Sequence, residues 1–267
     1  MTSSSPLAFD LSAAPISVAH VTLLVRDLDR MTRFYRDLLG LTVLSQTATQ
    51  TSLGLDTAFL TLSAPGGLDA NSGQFAGLYH TAFLLPARAD LGAWLDHVQA
   101  KGIRLQGAAD HGVSEAIYLA DPEGNGIEVY ADRPTDQWYD DQGNLQLTTE
   151  PLSAHTLPQG RWSAAPPGTR IGHVHLQTTD LAAAETFWSD AGFTAMARAP
   201  GGIFWGAGGY HHQLATNVWS RGRKTARHDG IAGLSDITLY APDVAATQAQ
   251  TRTAPSGVRV TFTTEKV

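Results

Sequence analysis

The feature that most limits the fold of this chain is an internal repeat. Residues 20–23 read His-Val-Thr-Leu, and residues 173–176 read His-Val-His-Leu, 153 positions later. An Asp-Leu pair and then an aromatic pair follow at the same offset, at residues 27–28 and 180–181 and at residues 34–35 and 187–188. A repeat of this length indicates a chain built from similar supersecondary units that pack on one another.

Each copy has the pattern of a short strand followed by a helix. Apolar residues alternate through residues 21–25, as in a half-buried strand. Asp27 can cap a helix because its carboxylate accepts hydrogen bonds from the first amides, and Gly40 suits the left-handed position after the last turn. The pattern predicts a helix over 28–39 and a counterpart over 181–191, each followed by strand-like segments. Each unit therefore reads β-α-β-β-β.

Four such units are predicted along the chain. The second unit begins at residues 79–85 and ends at residues 126–130. The third covers residues 171–219, and a shorter fourth covers residues 234–262. Between the second and third units, residues 133–168 contain five prolines and little periodic apolar pattern, which is typical of a connector.

These observations predict an α+β protein of two domains, each made of tandem paired βαβββ modules. The first domain covers residues 16–132 and is expected to contain the metal and active site. Residues 133–168 form a Pro-rich connector. The second domain covers residues 169–267, is shortened, and is expected to be structural.

Composition and charge exclude several classes of protein. The 267 residues include 18 Lys and Arg against 25 Asp and Glu, a net charge of −7, so the chain lacks the basic surface that nucleic acid binders need. It has no cysteine, so any metal must bind to histidines and carboxylates. No segment approaches about 18 consecutive apolar residues. Residues 1–15 lack the charged start and apolar centre of a signal peptide. We therefore predict a cytoplasmic protein without a nucleic acid or membrane partner.

Three residues are candidate metal ligands. His20 and His80 stand at matching positions at the start of the first two units, and Glu128 is the only charged residue in the apolar segment 126–130. If the first strands of these units pair, the three residues form the two-histidine, one-carboxylate set that binds Fe(II) and leaves positions open for substrate and dioxygen. Taken singly, each residue is as well explained by a structural role in a strand. Their combination at corresponding ends of a repeated unit favours the metal site.

A turn just before Glu128 indicates a further part of this site. Residues 121–125 read Asp-Pro-Glu-Gly-Asn, which is the composition of a tight turn. A hairpin through this turn places Tyr118 on the strand beside Glu128, and His111 in the loop that leads into that strand. From the pattern alone, purely structural roles, with Tyr118 in the core and His111 in a surface loop, are as good an interpretation as a place in the site.

The paired units, the His-Val-x-Leu openings and the Asp-Pro-x-Gly-Asn-x-x-Glu ending resemble the vicinal oxygen chelate superfamily. This superfamily includes glyoxalases, fosfomycin and bleomycin resistance proteins, and type I extradiol dioxygenases. Residues 111–128 are similar to the extradiol ring-cleavage signature. Residues 78–80, 125–134 and 208–212 further resemble the two-domain bacterial catechol 2,3-dioxygenases. The resemblance extends from about residue 16 to residue 240.

The resemblance implies an Fe(II)-dependent extradiol dioxygenase in which His20, His80 and Glu128 hold the metal, with Mn(II) or Zn(II) as alternatives. It implies that His111 moves protons, since the pKa of histidine lies near neutrality, and that Tyr118 orients the substrate by a hydrogen bond. The substrates would be a small aromatic diol and dioxygen, and the product a ring-opened hydroxy-aldehyde acid. Members of the family commonly form oligomers, so a homo-oligomer is expected.

Three alternatives stay open at this point. His173, His212 and Asp236 suggest a second metal site in the second half of the chain, with His211 as a further candidate ligand. A glyoxalase-like lyase or isomerase would use a divalent metal without dioxygen, but residues 58–63 offer no fourth ligand for it. A metal-free binding or resistance module would hold a planar ligand in an aromatic cleft, and the three predicted ligand positions count against it.

Overall fold

The fold is described by a computed structural model that covers residues 8–220, 224–247 and 250–265. The sequence predicts no signal peptide in residues 1–15, and residues 1–7 of that stretch lie outside the described residues. Within the described residues, no helix is both long enough and apolar enough to cross a membrane.

The described part of the chain contains four α-helices: α1 (Leu28–Leu39), α2 (Arg88–Ala100), α3 (Leu181–Asp190) and α4 (Pro242–Thr247). Helix α1 has the predicted ends. The carboxylate of Asp27 accepts a hydrogen bond from an amide of the first turn at 3.0 Å, and Gly40 follows the last turn with a φ of 70°, which favours glycine. Asp180 caps α3 in the same way. The helices predicted over 28–39 and 181–191 are confirmed to within one residue.

The described strands form two sheets. The first sheet has seven strands, in the spatial order β15 (Thr251–Thr253), β16 (Arg259–Thr263), β14 (Gly233–Tyr240), β1 (Ser17–Leu24), β4 (Ala58–Ser63), β3 (Gln50–Gly54) and β2 (Thr42–Gln46). Antiparallel pairing of β1 with β14 joins the strands of the first unit to those of the fourth.

The second sheet has nine strands, in the spatial order β11 (Thr194–Ala199), β12 (Gly202–Gly206), β13 (Leu214–Asn217), β10 (Arg170–Gln177), β5 (Gly77–Leu85), β8 (Gly126–Asp132), β7 (Ser114–Ala120), β6 (Gly107–Asp110) and β9 (Glu150–Pro151). Antiparallel pairing of β5 with β10 joins the second unit to the third. The predicted α+β class with paired βαβββ modules is confirmed.

The modules pair in a different combination from the one predicted. The repeat pattern predicts that the first strands of the first two units lie side by side, but β1 lies beside β14 and β5 lies beside β10. That expectation was wrong because the first strands of the units carry similar apolar alternation, and such a pattern fits more than one partner edge. Each sheet therefore combines strands from both halves of the chain. The domain boundaries at 16–132, 133–168 and 169–267 stay predictions.

The predicted connector packs closely on the second sheet and on α2. The indole N–H of buried Trp138 donates to the carbonyl of Arg133 at 2.8 Å, and its ring contacts Tyr210. Strand β9 of the connector pairs with β6. The backbone of Pro158 lies against α2 at Gly92, where an added Cβ would be 1.9 Å from the Pro158 oxygen. Glycine at this position therefore allows the connector to approach the helix.

We expect Gly92→Ala to lower the free energy of unfolding by about 1–3 kcal/mol, since the new methyl group would overlap backbone atoms that cannot rotate away. Helix propensity alone would favour alanine here by about 1 kcal/mol. The measurement is urea unfolding followed by circular dichroism. Gly107→Ala is the control, because an added Cβ there would meet no described atom within 4 Å. A Gly92→Ala variant as stable as wild type would contradict this account of the contact.

Candidate metal centre and active site

Two histidines and one carboxylate converge in the centre of the nine-stranded sheet. Nε2 of His80 lies 3.0 Å from Oε2 of Glu128, and Nε2 of His173 lies 3.3 Å from the same oxygen. One ligand-type atom from each of the three residues lies within 4.8 Å of the other two. All three side chains are buried.

The register of three neighbouring strands produces this convergence. Ala82 on β5 is opposite His173 on β10 in the antiparallel pair and opposite Glu128 on β8 in the parallel pair. His80 is two residues before Ala82, so it points to the same face of the sheet. The small side chain of Ala82 leaves space on this face between the three larger groups.

The electrostatics favour the metal-binding forms of Glu128 and His173. Burial raises the pKa of Glu128, but the neighbouring imidazoles of His173 and His80 outweigh this effect and hold its pKa well below the ordinary value. Burial lowers the pKa of His173. Near neutral pH, Glu128 is therefore a carboxylate and His173 a neutral imidazole. These protonation states are the ones that metal coordination requires.

An orphaned nitrogen provides a test of whether a metal fits here. Nε2 of His80 is buried and has no partner of hydrogen-bond geometry among the described residues, although Oε2 of Glu128 is 3.0 Å away. Leaving such an atom unpaired costs about 1–3 kcal/mol, and a metal ion would satisfy it. Two imidazoles with one carboxylate suit Fe(II) and other divalent transition metals. The residues present therefore fit a bound divalent ion.

Next to this group lies a hydrogen-bonded pair from the predicted hairpin. Tyr118 on β7 is directly opposite Glu128 on β8, as the turn predicts. Its hydroxyl is 2.6 Å from Nε2 of His111, whose Nδ1 is 2.7 Å from the carbonyl oxygen of Thr148. A carbonyl only accepts hydrogen bonds, so Nδ1 of His111 carries a proton. In the neutral ring Nε2 is then an acceptor, and Tyr118 donates to it.

These residues line a cavity of about 540 Å³. Strands near both edges of the nine-stranded sheet contribute to its lining, so the sheet curves around the cavity with the three converging residues at its centre. Aromatic rings form one wall: Tyr79 contacts His175 and Trp219 edge to face. Phe204 lines the cavity on the same side, in contact with His175. The cavity therefore offers an apolar surface to a flat ligand beside a polar floor of candidate metal ligands.

Comparison with known proteins agrees with this fold. Residues 17–129 match the model of the glyoxalase/bleomycin resistance protein/dioxygenase superfamily. The chain is 36% identical over 236 residues to the catechol-2,3-dioxygenase of Bacillus subtilis (strain 168), which covers 84% of this chain and 82% of that protein. The chain belongs to the glyoxalase/bleomycin resistance protein/dioxygenase superfamily.

Other members of the superfamily extend the comparison. Biphenyl-2,3-diol 1,2-dioxygenase 3 of Rhodococcus globerulus is 34% identical over 119 residues, which is 43% of this chain and 63% of that protein. A structure of a "putative dioxygenase" from Bacillus subtilis subsp. subtilis str. 168 matches with a TM-score of 0.62 at 14% identity, over 92% of this chain and 84% of the other. Glyoxalase I from Zea mays matches with a TM-score of 0.53 at 14% identity, over 92% of each chain. The two structures support the fold alone.

The superfamily fold does not bring His20 to the other two predicted ligands. His20 lies on β1 in the seven-stranded sheet, opposite Thr238, and its Nε2 is 2.9 Å from the hydroxyl of Thr61. His173 stands in the place expected for His20, because β5 pairs with β10 rather than with β1. His173 is the repeat counterpart of His20, so the repeat contained the signal for this residue. It did not show which units pair.

The second metal site suggested by the sequence is not assembled. Within the described part of the chain, no cluster other than His80, Glu128 and His173 has three converging ligand atoms. Asp236 lies on β14 in the other sheet, where the guanidinium of Arg259 binds both carboxylate oxygens at 2.7 and 2.9 Å. The carboxylate that the sequence suggests as a metal ligand is thus paired with an arginine.

We expect His173→Ala to lower metal affinity by more than the roughly 10–100-fold that follows the loss of a group supporting a ligand. The reason is that this substitution removes a candidate ligand itself. His20→Ala is the matched control, since it changes the corresponding residue of the first unit. Isothermal titration calorimetry with Mn(II), with folding checked by circular dichroism, measures both variants. Loss of binding in His20→Ala and retention in His173→Ala would contradict the assignment.

Proposed function

We propose that the protein is an Fe(II)-dependent extradiol dioxygenase that cleaves a catechol-like aromatic diol beside its two hydroxyl groups. The observation that carries the proposal is the convergence of His80, Glu128 and His173 on the floor of a buried aromatic cavity. The similarity to a catechol-2,3-dioxygenase over most of the chain supports it. Both atoms of dioxygen would enter the ring-opened product, so no other reductant is needed.

His80, Glu128 and His173 would hold the iron, which supplies open coordination positions and one-electron chemistry between the diol and dioxygen when it is bound. Two neutral imidazoles and one carboxylate leave a net positive charge on a divalent ion. This charge favours the anionic form of a diol in the cavity. The buried floor excludes bulk water from the reacting atoms.

Tyr118 and His111 would transfer protons and orient the diol. Burial and then the negative charge of Glu128 raise the pKa of Tyr118 well above its ordinary value, so this phenol keeps its proton. Because this proton is donated to His111, the Tyr118 oxygen can accept a hydrogen bond from a hydroxyl of the diol. Nε2 of His111, which accepts from the Tyr118 hydroxyl, can take a proton that passes through that hydroxyl. The carbonyl of Thr148 holds the His111 ring in the required tautomer.

The size of the cavity indicates a diol larger than catechol. A cavity of about 150 Å³ binds a benzene ring, whereas this one has about 540 Å³. The aromatic wall formed by Tyr79, Phe204 and Trp219 offers apolar contacts to a ring substituent. A relative named for biphenyl-2,3-diol agrees with such a substrate.

We expect the Fe(II)-loaded protein to consume oxygen with catechol, and to have a kcat/KM about 10–100-fold higher with 3-phenylcatechol, since the phenyl group buries apolar surface. Glu128→Gln should abolish oxygen uptake because it removes a candidate ligand. Glu265→Gln, an exposed change of the same type, is the control. An oxygen electrode and absorbance of the yellow product measure both reactions. No oxygen uptake by the wild-type protein with either diol would contradict the proposal and favour a glyoxalase-like or metal-free role.

Tyr118→Phe and His111→Asn should each lower kcat by about 10²-fold, the usual contribution of proton transfer. The double variant should lose about as much as either single variant, because the two groups act as one unit. Steady-state kinetics of the four proteins form the test. Losses that multiply would mean that the two side chains act independently.

The cytoplasmic location and the homo-oligomer stay predictions. Size-exclusion chromatography with light scattering tests the second of these. A single species of 28.4 kDa would contradict an oligomer.

A further inference from the structure

Behind the cavity, three residues form a buried chain of hydrogen bonds. Nε2 of His211 is 2.8 Å from Oδ1 of Asp132, which ends β8. Nδ1 of His211 is 2.8 Å from Nδ1 of His212. His211 is fully buried and His212 is 6% exposed, and His212 lines the cavity. The chain therefore leads from a carboxylate outside the cavity to an imidazole on its wall.

The carboxylate end decides which nitrogen atoms carry protons. Asp132 accepts at Oδ1 from His211 and at Oδ2 from the hydroxyl of Tyr210, at 3.0 Å. An ionised carboxylate has no proton to donate, so Nε2 of His211 must be the donor. In the neutral ring of His211, Nδ1 is then an acceptor. His212 consequently donates from Nδ1, and its Nε2 has a free lone pair.

Packing holds the His212 ring beside the candidate metal centre. Its centroid is 4.2 Å from that of His173 and 5.2 Å from that of Phe204. Since Nδ1 is bound to His211, Nε2 is the nitrogen left for a ligand in the cavity.

We propose that Asp132 and His211 are positioning residues that fix the tautomer and orientation of His212, so that its Nε2 accepts a hydrogen bond from one hydroxyl of the bound diol. The inference rests on the proposed function. The cavity then has two imidazoles whose proton positions are set by different groups. A backbone carbonyl sets the proton position on His111, and the Asp132 carboxylate sets it on His212 through His211.

The sharpest test is Asp132→Asn, which keeps the shape of the side chain. The amide oxygen can still accept from Tyr210, while the amide nitrogen donates to Nε2 of His211. Both imidazoles then reverse their tautomers, and Nε2 of His212 becomes protonated and unable to accept. A reversed tautomer of this kind costs up to about 10⁴-fold in kcat in the serine protease triad. We expect kcat/KM for the diol to fall at least roughly tenfold, with Mn(II) affinity unchanged.

Nitrogen-15 NMR of the Zn(II)-loaded protein reads the tautomers directly, because the chain has only ten histidines and zinc is diamagnetic. We expect His212 to carry its proton on Nδ1 in the wild-type protein and on Nε2 in Asp132→Asn. Tyr210→Phe is the control. It removes the other hydrogen bond to Asp132 but leaves the two histidines linked, so both the tautomer and the kinetics should stay close to wild type.

Two results would overturn the inference. The first is an NMR spectrum of the wild-type protein in which His212 carries its proton on Nε2. This measurement does not depend on whether a variant folds. The other is an Asp132→Asn protein with wild-type kinetics, whether or not the tautomer changes. His211→Phe, which breaks both links with an apolar ring, gives a second kinetic comparison and should lower kcat/KM as Asp132→Asn does. Oxygen uptake by the wild-type protein tests the proposed function separately from these measurements.

Discussion

The candidate site depends on the antiparallel pairing of β5 with β10. In this register Ala82 is opposite His173, and His80 lies two residues away on the same face of the sheet. Strand β8 then joins the other edge of β5 and places Glu128 beside Ala82. A shift of one residue in either pair would turn a ligand to the opposite face, because side chains alternate along a strand. The backbone hydrogen bonds between strands therefore set the ligand geometry before any metal binds.

Burial of a carboxylate between two imidazoles carries a cost in free energy. A buried charge is expensive unless it is paired, and here the imidazoles of His80 and His173 partly compensate the carboxylate of Glu128. A carboxylate at Glu128 and a neutral imidazole at His173 are the forms that metal coordination requires. On the cavity walls, hydrogen bonds with the carbonyl of Thr148 and with His211 hold the rings of His111 and His212 in place. Neighbouring groups thus set the orientation of both imidazoles.

Much of the local structure could be predicted from residues close in sequence. Asp27 and Gly40 mark the ends of α1, and the turn at residues 121–125 predicts the hairpin that sets Tyr118 opposite Glu128. The sequence predicts His80 and Glu128 as a pair because they belong to one unit, and the structure brings them together. It predicts His20 as the third ligand because the place of His20 in the repeat is equivalent to that of His173. Nothing in the pattern distinguishes these two histidines, since the difference lies in which module packs against the second unit.

The sequence by itself determined the repeated βαβββ unit, the helix ends, the α+β class and the types of residue available as ligands. These properties follow from alternation, capping and composition, which act over a few residues. Only the tertiary structure decided that the second unit pairs with the third, and so placed His173 rather than His20 beside Glu128. The pairing of similar strand edges depends on packing across the whole chain, and a local pattern that fits several edges cannot select among them.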